Sequence, residues 1–302
     1  MATCTPGGVI RYQKVDVPQA WRYESYAGVQ LRVPDTWGWG GSPVRSSIFS
    51  GPRHLGSCGT DQAAVLSPRD HSAYVSTLTQ FVGRPAILTD RCMSWGSAGS
   101  MPTGEAVWFD SPLAVGVKSV GSTVAETRAV GDQKVTVFGS KPTMRREILG
   151  TAEQVDVDGN GCPTRAISRP TAGPTALEPV GLSVCVYSQD TGVATLLYSG
   201  VLPQANARAY AAHVGAGLGR TSSSVCATPS GQWVAMGLHA ASGTRWDIAN
   251  LSCDRIEVAG GRTAVLSAST VRDWASGGVT AYVGAPRGGD RALDEYFRAP
   301  TG

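Results

Sequence analysis

The sequence predicts an α+β protein of two domains, each a mainly antiparallel sheet with helices packed on one face. Three observations predict it. Strand-like runs follow one another through short polar or glycine turns, which suits antiparallel neighbours rather than helical crossovers. Helix-opening prolines stand at Pro142 and Pro203. A turn at Asp156–Gly161 and a soft stretch over 168–179 with three prolines separate the halves. The expected units are residues 1–158, 159–283 and a polar tail, 284–302.

In order, Val29, Leu31 and Val33 alternate with Gln30 and Arg32 before Pro34, the pattern of a half-buried strand running into an aromatic turn. Residues 40–62 are rich in Gly, Ser and Pro and read as loop. The run 63–66 reads as a strand, and 72–82 as a weak helix through Tyr74, Val75 and Leu78. Strands are expected at 105–109, 113–120, 124–130 and 134–138. Lys141 and Pro142 then open a helix expected to reach Gln154, with Met144, Ile148 and Ala152 on its packed face and Arg145, Arg146 and Glu147 in solvent. Beyond the boundary, 182–187 and 192–199 read as a hairpin. Pro203 opens an alanine-rich helix that Gly215, Gly217 and Gly219 end. Strands at 232–239 and 245–251, a turn at 259–262 and a helix at 269–275 complete the order.

Composition narrows the class of protein. With 302 residues, 42% hydrophobic and 16% charged, the chain can bury one large core or two ordinary ones. Every apolar stretch is interrupted well short of the roughly 18 to 20 residues that a membrane-crossing helix needs. Net charge is only +3 and the arginines are scattered, so a nucleic-acid surface is not expected.

Seven cysteines are spread along the chain without a Cys-x-x-Cys pair, which points to disulfides rather than to zinc or thioredoxin chemistry. The spacing suits Cys58 with Cys92, Cys162 with Cys185, and Cys226 with Cys253, leaving Cys4 as the odd thiol; buried free cysteines are the other reading. Oxidised cysteines imply an extracytoplasmic location. Met1 to Cys4 carries no signal sequence, so a leader or anchor is expected upstream of the residues given.

The segments VQLRVPDTWGWG, TMRREILGTAEQV leading into DGNGCP, the VCVY strand, and the cysteines at Cys226 and Cys253 resemble a group of actinobacterial cell-envelope proteins. The resemblance spans about Trp21 to Trp274. It implies an ectodomain that follows a single membrane span, often encoded near an extracytoplasmic-function sigma factor. It implies location and anchoring more than activity. The first half also resembles the PsbP/Mog1-like fold, which carries no activity with it.

Asp156, Asp158, Asn160 and Gly161 match the first half of a calcium loop, but Ile167 stands where the bidentate Glu belongs. A tight turn before a disulfide cysteine explains the same residues without an ion. His54, His71, His213 and His239 are far apart, and none has a partner at metal-ligand spacing. Asp70 beside His71 lacks a nucleophile elbow, and Gly96–Gly99 misses that motif by one residue. A triad assembled only by the fold stays open. Gly38–Gly41 and Gly215–Arg220 lack the context of a phosphate loop. Trp37, Trp39, Trp95 and Trp108 suit either the core or a sugar-stacking face.

The sequence therefore predicts no catalytic residue, metal or cofactor. The expected role is binding or sensing, toward an unidentified cell-envelope ligand or protein. An extracellular hydrolase and a cell-wall spacer are the alternatives.

Overall fold

The structure is a computed structural model that describes residues 21–40, 65–66, 74–75, 79–84, 102, 104–111, 113–173, 178–189, 194–219, 232–275 and 278–279. Strand β1 (Trp21–Tyr26) turns through Ala27 and Gly28, both at positive φ, into β2 (Val29–Pro34). Five short strands follow: β3 (Gly38–Gly40), β4 (Val65–Leu66), β5 (Tyr74–Val75), β6 (Phe81–Gly83) and β7 (Ala106–Phe109). A meander of β8 (Gly116–Val120), β9 (Thr123–Val130) and β10 (Gln133–Phe138) leads to helix α1 (Pro142–Gly150) and β11 (Glu153–Gln154). Next come β12 (Gly181–Ser188), β13 (Thr195–Pro203) and helix α2 (Gln204–Gly217). The last elements are β14 (Gln232–Ala240), β15 (Gly243–Asn250), a single 3-10 turn, β16 (Arg255–Val258), β17 (Arg262–Val265) and helix α3 (Ala268–Trp274).

Among the described residues the fold is mostly sheet, with three short helices. A three-stranded sheet runs β1-β2-β11. An eight-stranded sheet runs β5-β4-β3-β6-β7-β10-β9-β8 and is mixed, because β6 lies parallel to both β3 and β7. The six-stranded sheet, β13-β12-β14-β15-β16-β17, is antiparallel throughout. Among the described residues no helix is long and apolar enough to cross a membrane.

Period-two alternation explains the cores. Val29, Leu31 and Val33 of β2 join Val107, Phe109, Val135 and Val137, with Ile148 and Leu149 of α1, in one cluster. Both faces of the six-stranded sheet are buried. Leu182, Val184 and Val186 share a cluster with Val234, Met236 and Leu238 and with Ala207, Tyr210 and Val214 of α2. The alternate residues Cys185, Tyr187, Trp233 and Ala235 pack with Cys162 and Ile167 from the segment before β12. Tyr26 and Trp39 from the first half also pack on the α2 cluster, so hydrophobic contact crosses the expected boundary at residue 158.

Several expectations are corrected. The helix read over 72–82 is replaced, in the described part, by strands β5 and β6. Tertiary pairing overrides a weak helical period there. Helix α1 stops at Gly150, because Glu153 and Gln154 pair with Gln30 and Val29 of β2. Arg145 is buried rather than solvated: its Nη1 donates to the Gly139 carbonyl at 2.5 Å, and Nε lies 3.7 Å from Glu126 Oε2. The aliphatic stem of an arginine can pack while its head finds polar partners. Strands β1, β16 and β17 had no strand assignment from sequence. The loop read over 40–62 (beyond Gly40) and the tail 284–302 lie outside the described residues.

Candidate functional site

The turn before Cys162 is built by its own side chains. Gly161 N donates to the Asp158 carbonyl at 2.9 Å, closing a four-residue turn, and Asp158 Oδ1 accepts from Asn160 N at 3.1 Å, the local bond that makes Asp a turn former. Oδ1 also accepts from Cys162 N at 2.8 Å, and a bridge joins Val157 to Pro163. Gly161 sits at φ +82, a conformation that favours glycine.

The turn plugs onto β13 and β12. Asp158 Oδ2 accepts the Ser199 hydroxyl, and Asn160 Nδ2 donates to Ser199 Oγ at 3.0 Å. Gln30 of β2 holds it from the other side, accepting from Gly159 N at 2.7 Å. A disulfide joins Cys162 to Cys185 of β12, both fully buried. Cys253 is disulfide-bonded too. Its partner, like Cys4, Cys58, Cys92 and Cys226, lies outside the described residues. Burial pushes the Asp158 carboxyl above the usual aspartate range, and its hydroxyl and amide hydrogen bonds offset only part of this.

Asp158 and Asn160 are thus brought together, while Asp156 points into solvent. Their polar atoms serve the protein's own amides and hydroxyls. Among the described residues no group of three or more His, Cys, Asp or Glu side chains converges as metal ligands.

A polar row crosses the same face of the sheet. In the ladder Ser183 stands opposite Gly237, and His239 opposite both Gly181 and Thr244, so His239 and Thr244 are direct neighbours and Ser183 is the diagonal neighbour of His239 on the third strand. Ser183 Oγ lies 2.6 Å from His239 Nε2, and His239 Nδ1 lies 2.9 Å from Thr244 Oγ1. This is a serine and histidine pair with a hydroxyl where a triad has a carboxylate. The Ser183 hydroxyl donates to the Asn160 carbonyl, so it accepts from Nε2–H, and Nδ1 accepts from Thr244. That tautomer leaves no free base at Nε2. Burial lowers the His239 pKa from its ordinary value, which keeps the ring neutral.

A second histidine faces outward. His213 Nδ1 lies 2.6 Å from Asp273 Oδ2, and the His213 side chain is 46% exposed. Asn206 Nδ2 holds the Asp273 carbonyl at 2.9 Å. Burial pushes Asp273 above the usual carboxylate range, against the pull of His213. His54, His71, Asp70, Gly96–Gly99 and Trp95 lie outside the described residues. Trp37, Trp39 and Trp108 are buried and present no sugar-stacking face.

Sequence reasoning missed Ser183, Ser199, Thr244 and Asp273. For Ser183 a signal existed: it falls on the buried phase of an otherwise apolar strand, where a hydroxyl must find a partner. For His213 and Asp273, 60 residues apart, none did.

No family model, no curated protein and no solved structure matches the chain.

Proposed function

We propose that the chain is the non-enzymatic, extracytoplasmic ectodomain of a cell-envelope protein of the actinobacterial kind it resembles. It binds or senses an envelope ligand or protein, touches the membrane only through an anchor outside these residues, and comprises two α+β units. The observation that carries this reading is the Cys162–Cys185 disulfide, which ties the 156–163 turn to the sheet. Structural disulfides of this kind persist in oxidising compartments. The Ser183–His239 pair adds support, because its hydrogen bonds run against nucleophile activation.

Differential alkylation and mass spectrometry on protein from its native host tests the location. Blocked cysteines that become reactive only after reduction are expected. Complete alkylation without reductant would return the chain to the cytosol. A glycan and peptide array tests binding: one saturable envelope component is expected, and no specific ligand would favour a spacer.

A second reading, an extracellular hydrolase, is favoured by one observation. Asp273 orients His213 as an acid orients a catalytic base, with Nε2 free of partners among the described residues. A fluorophosphonate probe that labels the protein, and fails to label His213→Ala, would establish this reading against the first.

A further inference from the structure

Asparagine occurs three times in the chain, and only Asn160 precedes a glycine; Asn206 is followed by Ala207 and Asn250 by Leu251. An Asn–Gly step is prone to close on itself, because a following residue without a Cβ lets its backbone nitrogen reach the asparagine side-chain carbon. Here the fold requires both residues. Gly161 sits at φ +82, where a Cβ would stand 2.9 Å from Ser183 Oγ. Asn160 Nδ2 donates among Ser199 Oγ at 3.0 Å, the Ser199 carbonyl at 3.3 Å and the Tyr23 carbonyl at 3.4 Å. The same packing holds the step shut. Gly161 N–H is bound to the Asp158 carbonyl at 2.9 Å, and Asn160 is only 8% exposed to the water that the reaction needs.

The Cys162–Cys185 bridge lies one residue beyond Gly161 and ties the turn covalently to β12. Without it the turn is held by hydrogen bonds alone, and such a segment opens locally more often than a crosslinked one. We propose that Asn160 is a self-modification site gated by the Cys162–Cys185 disulfide: once a thiol reductant breaks the bridge, Asn160 converts to aspartate or isoaspartate and the turn is locked out. The reductant is oxidised to its own disulfide as the two cysteine thiols form. Gly161 N then gives its proton to solvent and attacks Asn160 Cγ. The Cγ–Nδ2 bond breaks, ammonia leaves, and water opens the cyclic imide at either carbonyl. The product sets a carboxylate among the Tyr23 and Ser199 carbonyls and beside Asp158, where an amide had donated. Isoaspartate also inserts an extra carbon into the main chain, so Gly161 and Cys162 no longer reach their places.

Peptide mapping of the full chain, with aspartate and isoaspartate resolved by chromatography, tests the gate. Cys162→Ala with Cys185→Ala leaves the disulfide at Cys253 intact. At mildly alkaline pH this variant is expected to lose the Asn160 amide at least about tenfold faster than the parent. Asn206 and Asn250 keep theirs in both. Hydrogen exchange on the variant should quicken over 156–163 while the amides of β12 and β14 stay protected. When reduced parent is returned to oxidant, the bridge should re-form in molecules that keep Asn160 and fail in those that carry isoaspartate. Equal rates of amide loss in variant and parent would overturn the proposal, as would a bridge that re-forms in the modified molecules. So would a variant in which β12 and β14 exchange as fast as the turn, because the whole fold would then be the gate.

Discussion

The Arg84 guanidinium meets the Glu24 carboxylate at 2.5 Å with both side chains sealed from solvent. Glu24 Oε1 also accepts from Arg22 Nε at 2.6 Å and from Trp39 Nε1 at 2.7 Å, and Arg84 lies 5.3 Å from the Phe109 and Tyr198 ring centres. One carboxylate thus joins β1, β3 and the end of β6, and Arg84 carries the contact on to Tyr198 of β13. Burial pushes the Glu24 carboxyl up, but the two arginines and their hydrogen bonds outweigh it and leave it below the usual glutamate range. Glu24→Ala strands a buried guanidinium and is expected to cost about 3 to 5 kcal/mol in urea unfolding. Because the folded carboxyl is more acidic than the unfolded one, its stabilisation is complete above the ordinary value near 4.5 and is lost as pH falls through the folded value. A loss below about 1 kcal/mol would show that the pair does not hold the junction.

Asp158 behaves in the opposite sense. Its raised pKa means that the folded state holds the proton more tightly, so this residue's contribution to stability falls as pH climbs from the ordinary 3.8 through the folded value. Asp158→Asn is expected to remove that slope. Asp158→Ala leaves the Asn160 and Cys162 amides and the Ser199 hydroxyl without their acceptor, for a loss of about 2 to 4 kcal/mol in chemical unfolding.

His239 sets a different window. The folded state keeps the ring neutral where the unfolded chain takes up a proton, so stability is expected to decline as pH falls below about 6.5, by up to about 1.4 kcal/mol per pH unit. His239→Gln, which can still donate to Ser183, should flatten the profile between pH 7 and 5. Parallel profiles for the two proteins would mean that His239 does not titrate on unfolding.

Gly161 has two reasons to be glycine. Its φ is +82, and a Cβ would stand 2.9 Å from Ser183 Oγ and 3.4 Å from the His239 ring. Gly161→Ala is expected to destabilise by about 1 to 3 kcal/mol and to disturb the His239 ring resonances. Gly260, also at positive φ but with nothing near its Cβ position, is the control: its alanine variant pays for backbone strain alone and should leave the His239 signals in place.

Much of the strand content was legible, because alternation at i and i+2 is local information. Val29, Leu31 and Val33 announced β2, and the run from Leu182 announced β12. The Asp158 turn was legible as well, since Asp, Gly, Asn and Gly carry their own turn chemistry. Illegible were the two-residue strands β5 and β11, too short for any period, and the burial of Arg145, which depends on a carbonyl turned toward it at Gly139. Of the polar row, His239 was visible only as an isolated histidine.

By itself, the sequence determined the alternation of exposed and buried phases, the turn at Asp158 and the abundance of cysteine, because each is written within a few neighbouring residues or in the composition. Tertiary structure alone decided that Ser183 meets His239, that His213 meets Asp273 and that Glu24 meets Arg84. Those meetings depend on strand register and helix placement, which are set by the summed burial of many distant side chains rather than by any local run.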